Sequence, residues 1–186
     1  KLISVGMKFR QEEYAVTMDC SEFFPQIKLF EEDKDFFRFL WFNENGDVCI
    51  YRYCRLLFGL NCSPFLAQFA SIMGAFKLKE TYEEAFRTIC GNRYVDDFLL
   101  SKKTRQTCIQ ALTETQKVMA TIGVKIHKVM SNDPEVMLAV DQESRMKQWD
   151  GKTKLPDQAG ALGLLWNVLE DTISISLANI PKRSED

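Results

Sequence analysis

Histidine is almost missing from this chain: among 186 residues there is one, His127. Six cysteines are present, but none stands in a Cys-x-x-Cys pair. A zinc site of the usual spacing therefore has no support. Long apolar runs are missing too. None approaches the roughly 20 residues that cross a bilayer, and no signal-peptide pattern opens the sequence. A basic surplus is also lacking, with 24 Lys and Arg against 26 Asp and Glu, for a net charge of -2. That balance counts against a general nucleic-acid binder. It does not exclude a protein that gathers acids at one centre and carries its cations elsewhere. There is no internal repeat and no low-complexity tract.

What is present describes one globular domain. Hydrophobic residues make up 46% and charged residues 27% of the chain, an ordinary globular balance at a length that buries a real core. Several cysteines sit among apolar residues, where free Cys acts as a small hydrophobe. The expectation is a reducing, intracellular setting. The sequence opens at Lys1 on residues that read as the middle of a helix, so a segment of a longer polypeptide is expected.

The pattern along the chain predicts an α+β fold. Residues 2–9 read as helical turns and 14–19 as a strand. Ser21 to Phe24 suits a helical turn broken near Pro25. Phe36 to Phe42 and Val48 to Arg55 flank the turn signal Asn43-Glu44-Asn45-Gly46-Asp47 and read as a hairpin. Most of its aromatics are expected in a core. Ser63 and Pro64 suit the N-cap and first position of a helix, which runs through Phe65, Phe69, Ile72, Met73 and Phe76. A second helix covers Tyr82 to Ile89. A third covers Thr104 to Ile122, with Cys108, Ile109, Leu112, Val118 and Met119 inward, and ends at Gly123. Val124 to His127 is a strand, with His127 a structural residue on it. Glu135 to Ala139 is a helical turn, and 141–158 a polar connection. Leu162 to Trp166 and Thr172 to Leu177 are strands joined at Glu170-Asp171. Helices on one face of a mainly antiparallel sheet follow from this order.

The chemistry lies in the acids. Tyr94-Val95-Asp96-Asp97 stands between apolar runs and reads as strand, turn, strand, with both acids at the turn. Tyr14-Ala15-Val16-Thr17-Met18-Asp19 is a second strand that ends on an acid. Adjacent carboxylates resist burial unless something compensates them. Three of them together suit a hard divalent cation, which prefers oxygen ligands. Asp-Asp is also common at plain hairpin turns, so the dipeptide alone leaves both readings open.

The order of motifs decides between them. Val16-Thr17-Met18-Asp19-Cys20-Ser21-Glu22-Phe23-Phe24-Pro25-Gln26-Ile27 comes first, then Arg55-Leu56-Leu57-Phe58-Gly59-Leu60-Asn61-Cys62-Ser63-Pro64-Phe65. Tyr94-Val95-Asp96-Asp97 follows, then Gly123-Val124-Lys125-Ile126-His127-Lys128, then Leu162-Gly163-Leu164-Leu165-Trp166. This series resembles the catalytic motifs and primer grip of a reverse transcriptase palm. Lys8-Phe9-Arg10, Arg38-Phe39-Leu40-Trp41 and Met130-Ser131-Asn132, with Phe58-Gly59 and Ser63-Pro64-Phe65, resemble BEL/Pao-type LTR retrotransposons.

The resemblance implies a polymerase palm with partial fingers over residues 1–186, a primer-grip hairpin at about 161–177, and no thumb. It implies RNA-directed DNA polymerisation by in-line phosphoryl transfer with two Mg2+ ions, or Mn2+. Asp19 and Asp96 would bridge the metals, Asp97 would support them, and the carbonyl of Cys20 would complete one shell. Backbone N–H groups of Ser21, Glu22, Phe23 and Phe24 would meet the triphosphate. Phe24 would be the aromatic gate beneath the sugar, against a plain core role. Gly59 would admit the incoming base or template. Lys128 would contact phosphate or protonate pyrophosphate, against a solvated lysine. Arg52 and Arg55 would face nucleic acid or line a solvated edge. The implied partners are an RNA or DNA template, a DNA primer, dNTPs and the rest of a polyprotein with fingers, thumb and ribonuclease H, but no membrane. The implied setting is the cytoplasm, within a virus-like particle. Two other readings stand beside this one: a non-catalytic domesticated scaffold with the same fold, and a viral RNA-dependent RNA polymerase, which Phe24 and the Phe-Gly…Ser-Pro pattern fit poorly.

Overall fold

The computed structural model describes residues 2–147 and 158–175. Helix α1 (Leu2–Phe9) leads into strand β1 (Tyr14–Ser21) and a single turn α2 (Phe23–Gln26). A hairpin of β2 (Arg38–Phe42) and β3 (Val48–Arg52) precedes helices α3 (Ser63–Lys77) and α4 (Glu83–Gly91). A second hairpin joins β4 (Arg93–Tyr94) to β5 (Asp97–Lys102), and helix α5 (Arg105–Thr121), strand β6 (Lys125–Ser131) and helix α6 (Pro134–Leu138) follow. Strands β7 (Gln158–Ala161), β8 (Leu164–Asn167) and β9 (Thr172–Ile175) close the described chain.

The central sheet runs β4-β5-β1-β6, antiparallel throughout. β1 is an inner strand, and Ala15, Val16, Thr17 and Met18 are all buried. Helix α5 lies against β1, β5 and β6, with α3 and α4 packed on it and on each other. Its ends are set locally. Thr104 Oγ1 accepts the Thr107 N–H at 3.3 Å as an N-cap, and Gly123 at φ 80 supplies the left-handed stop. Between these, Cys108, Ala111, Leu112, Thr115, Val118 and Met119 form the buried stripe. Full burial of a side chain such as Leu112 or Met119 contributes about 1.5–3 kcal/mol. The fold is therefore the α+β architecture that the element order predicts.

Helix α3 departs from the expected pattern. Its buried face is Ser63, Ala67, Ser71 and Ala75, whereas Phe65, Phe69, Met73 and Phe76 are exposed. Close packing explains this: a Cβ added at Gly74 would lie 2.6 Å from Ile122 Cγ2. Only small side chains fit an approach that near. Ser63 is not the N-cap either. It lies inside the helix, and its hydroxyl donates to the Leu57 carbonyl at 2.5 Å. The β2–β3 hairpin forms with the expected turn, but Leu40, Trp41, Phe42, Val48 and Ile50 face outward rather than into a core.

The C-terminal sheet holds two further corrections. β7 begins inside the stretch read as the end of a polar connection, much of which, 148–157, lies outside the described residues. Leu162 and Gly163 are a turn rather than a strand start; both have positive φ, 55 and 77, as a two-residue hairpin turn of the primed type requires. Residues 176–177 of the expected last strand also lie outside the described residues. The sheet docks on α1 through Trp166, buried edge-on against Phe9 with ring centroids 5.0 Å apart. An ion pair between Arg10 and Asp171 closes the same contact.

Candidate active site

The site begins with strand register. β1 and β5 pair so that Asp19 stands directly opposite Asp97. Residues directly opposite share a face of the sheet, where like charges repel. The Tyr94–Asp97 turn sets this register. Val95 takes φ 55, a left-handed conformation that costs a side-chain-bearing residue roughly 1–2 kcal/mol. The turn tip is thus Val95-Asp96, and Asp97 is the first residue of β5 rather than a turn residue. The Cys20 N–H donates to the Asp96 carbonyl at 3.0 Å and pins the tip to the end of β1.

On the other side of β1, the pairing with β6 carries a bulge. Thr17 faces Met130 but Asp19 faces His127, so Val129 and Lys128 together oppose Met18. Lys128 absorbs the irregularity at φ 50. In a regular strand, adjacent side chains leave opposite faces. Here both reach one oxygen: Lys128 Nζ donates to Asp19 Oδ2 at 2.5 Å, and His127 Nε2 lies 3.1 Å from the same atom. Asp19 raises the pKa of Lys128, which keeps the ammonium charged. His127 is therefore more than a structural strand residue. The signal for it lay only in its place beside Lys128 on a strand flanking β1.

Asp97 is the perturbed acid. Burial pushes its carboxyl from the ordinary 3.8 up to about 6, and the charges of Asp96 and then Asp19 push the same way. Lys128 and the backbone N–H of Leu162, at the tip of the β7–β8 turn, oppose that rise. A cavity of about 100 Å³ lies between Thr17, Met18, Asp19, Asp97, Lys128, Met146 and Gly160. Cys20 borders the site as a neutral thiol, held up at about 12 by burial.

After β1 the chain leaves the sheet for α2. Ser21 ends the strand opposite Lys125. Glu22 takes φ 48 and starts α2, which carries Phe23 and Phe24, both buried. The Phe24 ring packs edge-on against Phe58, with centroids 4.7 Å apart. Gly59, the next residue, has φ 85 and open space where a Cβ would stand. Arg52 is held by Glu31 and Asp35. Arg55 donates to the Gln26 carbonyl at 3.0 Å. Both arginines are thus engaged within the protein.

Three acids share the site, yet among the described residues no group of three or more His, Cys, Asp or Glu is gathered closely enough to grip a metal. Asp19 Oδ2 is taken by Lys128 and His127. The donor chemistry still fits a hard divalent cation, because carboxylate oxygens dominate and Asp96 and Asp19 repel the charge of Asp97. Such a cation would take the place of the Lys128 ammonium at Asp19.

Asp19 and Asp97 thus face each other across two neighbouring strands of a sheet covered by packed helices. The family profile for reverse transcriptase (RNA-dependent DNA polymerase) matches residues 4–129, and the chain belongs to that family. Among solved structures it is similar to the foamy viral protease-reverse transcriptase in complex with RNA/DNA hybrid, with a TM-score of 0.57 and 17% identity over 94% of this chain. The same protein's dRH form in complex with ds DNA gives the same TM-score, identity and coverage. At that identity the likeness is one of fold. The chain spans 19% and 25% of those two chains. A search of curated proteins finds no match.

Proposed function

We propose that this chain is the palm and partial fingers, with a primer-grip hairpin at about 161–177, of an RNA-directed DNA polymerase that works within a longer BEL/Pao-type retrotransposon polyprotein. The observation that carries this reading is the Asp19–Asp97 cross-strand pair, with Asp96 at the adjoining turn tip, in a member of the reverse transcriptase family. Asp19, Asp96 and Asp97 would hold two Mg2+ ions, with the Cys20 carbonyl beside them. When bound, such ions activate a primer 3′-hydroxyl and stabilise the leaving pyrophosphate. The chain's own groups do the rest. The Leu162 N–H orients Asp97. Backbone amides from Ser21 to Phe24 meet the triphosphate. Phe24, braced by Phe58, lies beneath the sugar, and Gly59 leaves room for the base or template. Lys128, once released from Asp19, serves the departing phosphate. The partners are template, DNA primer and dNTPs, and the setting is a cytoplasmic virus-like particle.

One observation favours the scaffold reading: Lys128 and His127 already occupy Asp19 Oδ2. Primer extension separates the two. The polypeptide that carries this segment, given an RNA template, a DNA primer, dNTPs and Mg2+, extends the primer, and Asp96→Asn stops it. No extension by the unaltered polypeptide, or equal extension by Asp96→Asn, refutes the polymerase reading.

A further inference from the structure

Arg93, immediately before the Tyr94–Asp97 turn, has no part in the site described so far. Its side chain is fully buried. Nη1 donates to Ser71 Oγ at 2.6 Å and Nη2 to the Gln68 carbonyl at 3.2 Å, both on α3. The guanidinium carbon lies 5.5 Å from the Phe23 ring centroid and 5.5 Å from that of Phe98. Nε is buried without a hydrogen-bond partner. Among the described residues no carboxylate pairs with it. Burial lowers its pKa to about 10, which leaves it charged at neutral pH.

A buried cation without an anion is costly, and an apolar side chain of similar volume fills such a space at less cost. The guanidinium offers something an apolar chain does not: a rigid planar fork with directed donors and two faces for aromatic rings. Its two ring contacts adjoin residues of the site. Phe23 precedes Phe24. Phe98 follows Asp97. Helix α3 follows the loop of Phe58 and Gly59, and Phe58 itself packs on Phe24.

We propose that Arg93 is a positioning residue for the sugar pocket, tying the Phe24 turn and the Asp97 strand to α3 so that the gate and the acids keep a fixed separation. This rests on the polymerase reading above. Its physical basis is that small misplacements of reacting groups cost much rate, so what holds them matters as much as what they are.

The test uses two readouts. The first needs no catalysis: amide hydrogen exchange on this chain, with Arg93→Met, Arg93→Lys and the mild variant Ser71→Ala. The expected result is faster exchange, about tenfold for Arg93→Met, in peptides over residues 21–26 and 94–97, with α5 and β6 unchanged. Arg93→Lys and Ser71→Ala give smaller rises in the same places. Uniform acceleration across the chain, or no change at 21–26 and 94–97 in any variant, overturns the proposal.

The second readout is the ratio of kcat/KM for deoxy- over ribonucleotides in the polypeptide that extends primers. Ser71→Ala and Arg93→Lys lower this ratio if Arg93 positions the gate. If both sugars fall together at a constant ratio, Arg93 serves folding alone and the proposal fails. An unaltered polypeptide that extends no primer refutes the polymerase reading, and the exchange data still decide whether Arg93 ties the two segments together.

Discussion

Asp97→Asn is expected to stabilise this protein while destroying its proposed function. The Asp97 carboxyl titrates at about 6 in the folded chain against an ordinary 3.8, because burial and the charges of Asp96 and Asp19 oppose its ionisation. The folded state therefore binds this proton more tightly than the unfolded state. Below about pH 4 both states are protonated and the residue costs nothing. As pH rises from about 4 to about 6, the unfolded chain ionises first and stability falls; above about pH 6 the full penalty remains. The two pKa values correspond to about 3 kcal/mol. The carboxyl keeps contact with water, and screening reduces this to about 1 kcal/mol.

Asparagine keeps the shape of aspartate and still accepts the Leu162 N–H, but it carries no charge. In EDTA, Asp97→Asn should melt about 2–4 °C higher than the parent at pH 7, and the gain should vanish near pH 4. Thermal unfolding followed by circular dichroism across that range is the assay. A lower melting temperature at pH 7, or the same gain at both pH values, would refute the reasoning.

Two further outcomes follow from the same geometry. Mg2+ should raise the melting temperature of the parent chain by binding its native state, and Asp96→Asn should abolish the rise; an equal shift in both places the ion elsewhere. The shift should be small, because magnesium binds such sites with help from substrate phosphates. In the polypeptide that extends primers, Phe24→Ala should raise ribonucleotide use relative to deoxyribonucleotide use while weakening both, since the ring is both a barrier and a packing element against Phe58. An unchanged ratio of catalytic efficiencies would make Phe24 a core residue only.

Local signals were legible in the sequence, and long-range ones were not. The β2–β3 hairpin followed from Asn43 to Asp47, and the limits of α5 from Thr104 and Gly123, because turns and caps are decided by neighbouring residues. The buried side of α3 was not legible. Hydrophobic spacing points to its phenylalanines, whereas the close approach of Ile122 to Gly74 demands small residues on the packed face. β7 was missed because Gln158-Ala159-Gly160-Ala161 has none of the branched or aromatic residues that favour strands, and only its pairing with β8 makes it one. Asp19 and the Asp96-Asp97 pair stood out as acids after apolar runs. The cross-strand partnership of Asp19 with Asp97 rather than Asp96 depends on Val95 taking a conformation rarely adopted by a β-branched residue. His127 and Arg93 carry no local signature, since their partners lie 108 and 22 residues away.

The bulge at Lys128 has a consequence for how the sheet would tolerate change. Thr17 faces Met130 and Asp19 faces His127, so β6 contains one residue more than the ladder needs. A chain shortened by that single residue would pair Met18 with Val129 and still set His127 against Asp19 and Ile126 against Cys20. No core side chain would change face, and the left-handed backbone at φ 50 would disappear. The sheet is thus complete without Lys128. Its presence is an insertion in register whose charge acts on the acids of the site, Asp19 first and Asp97 after it, so the architecture and the charge state of the site can be altered independently at this position.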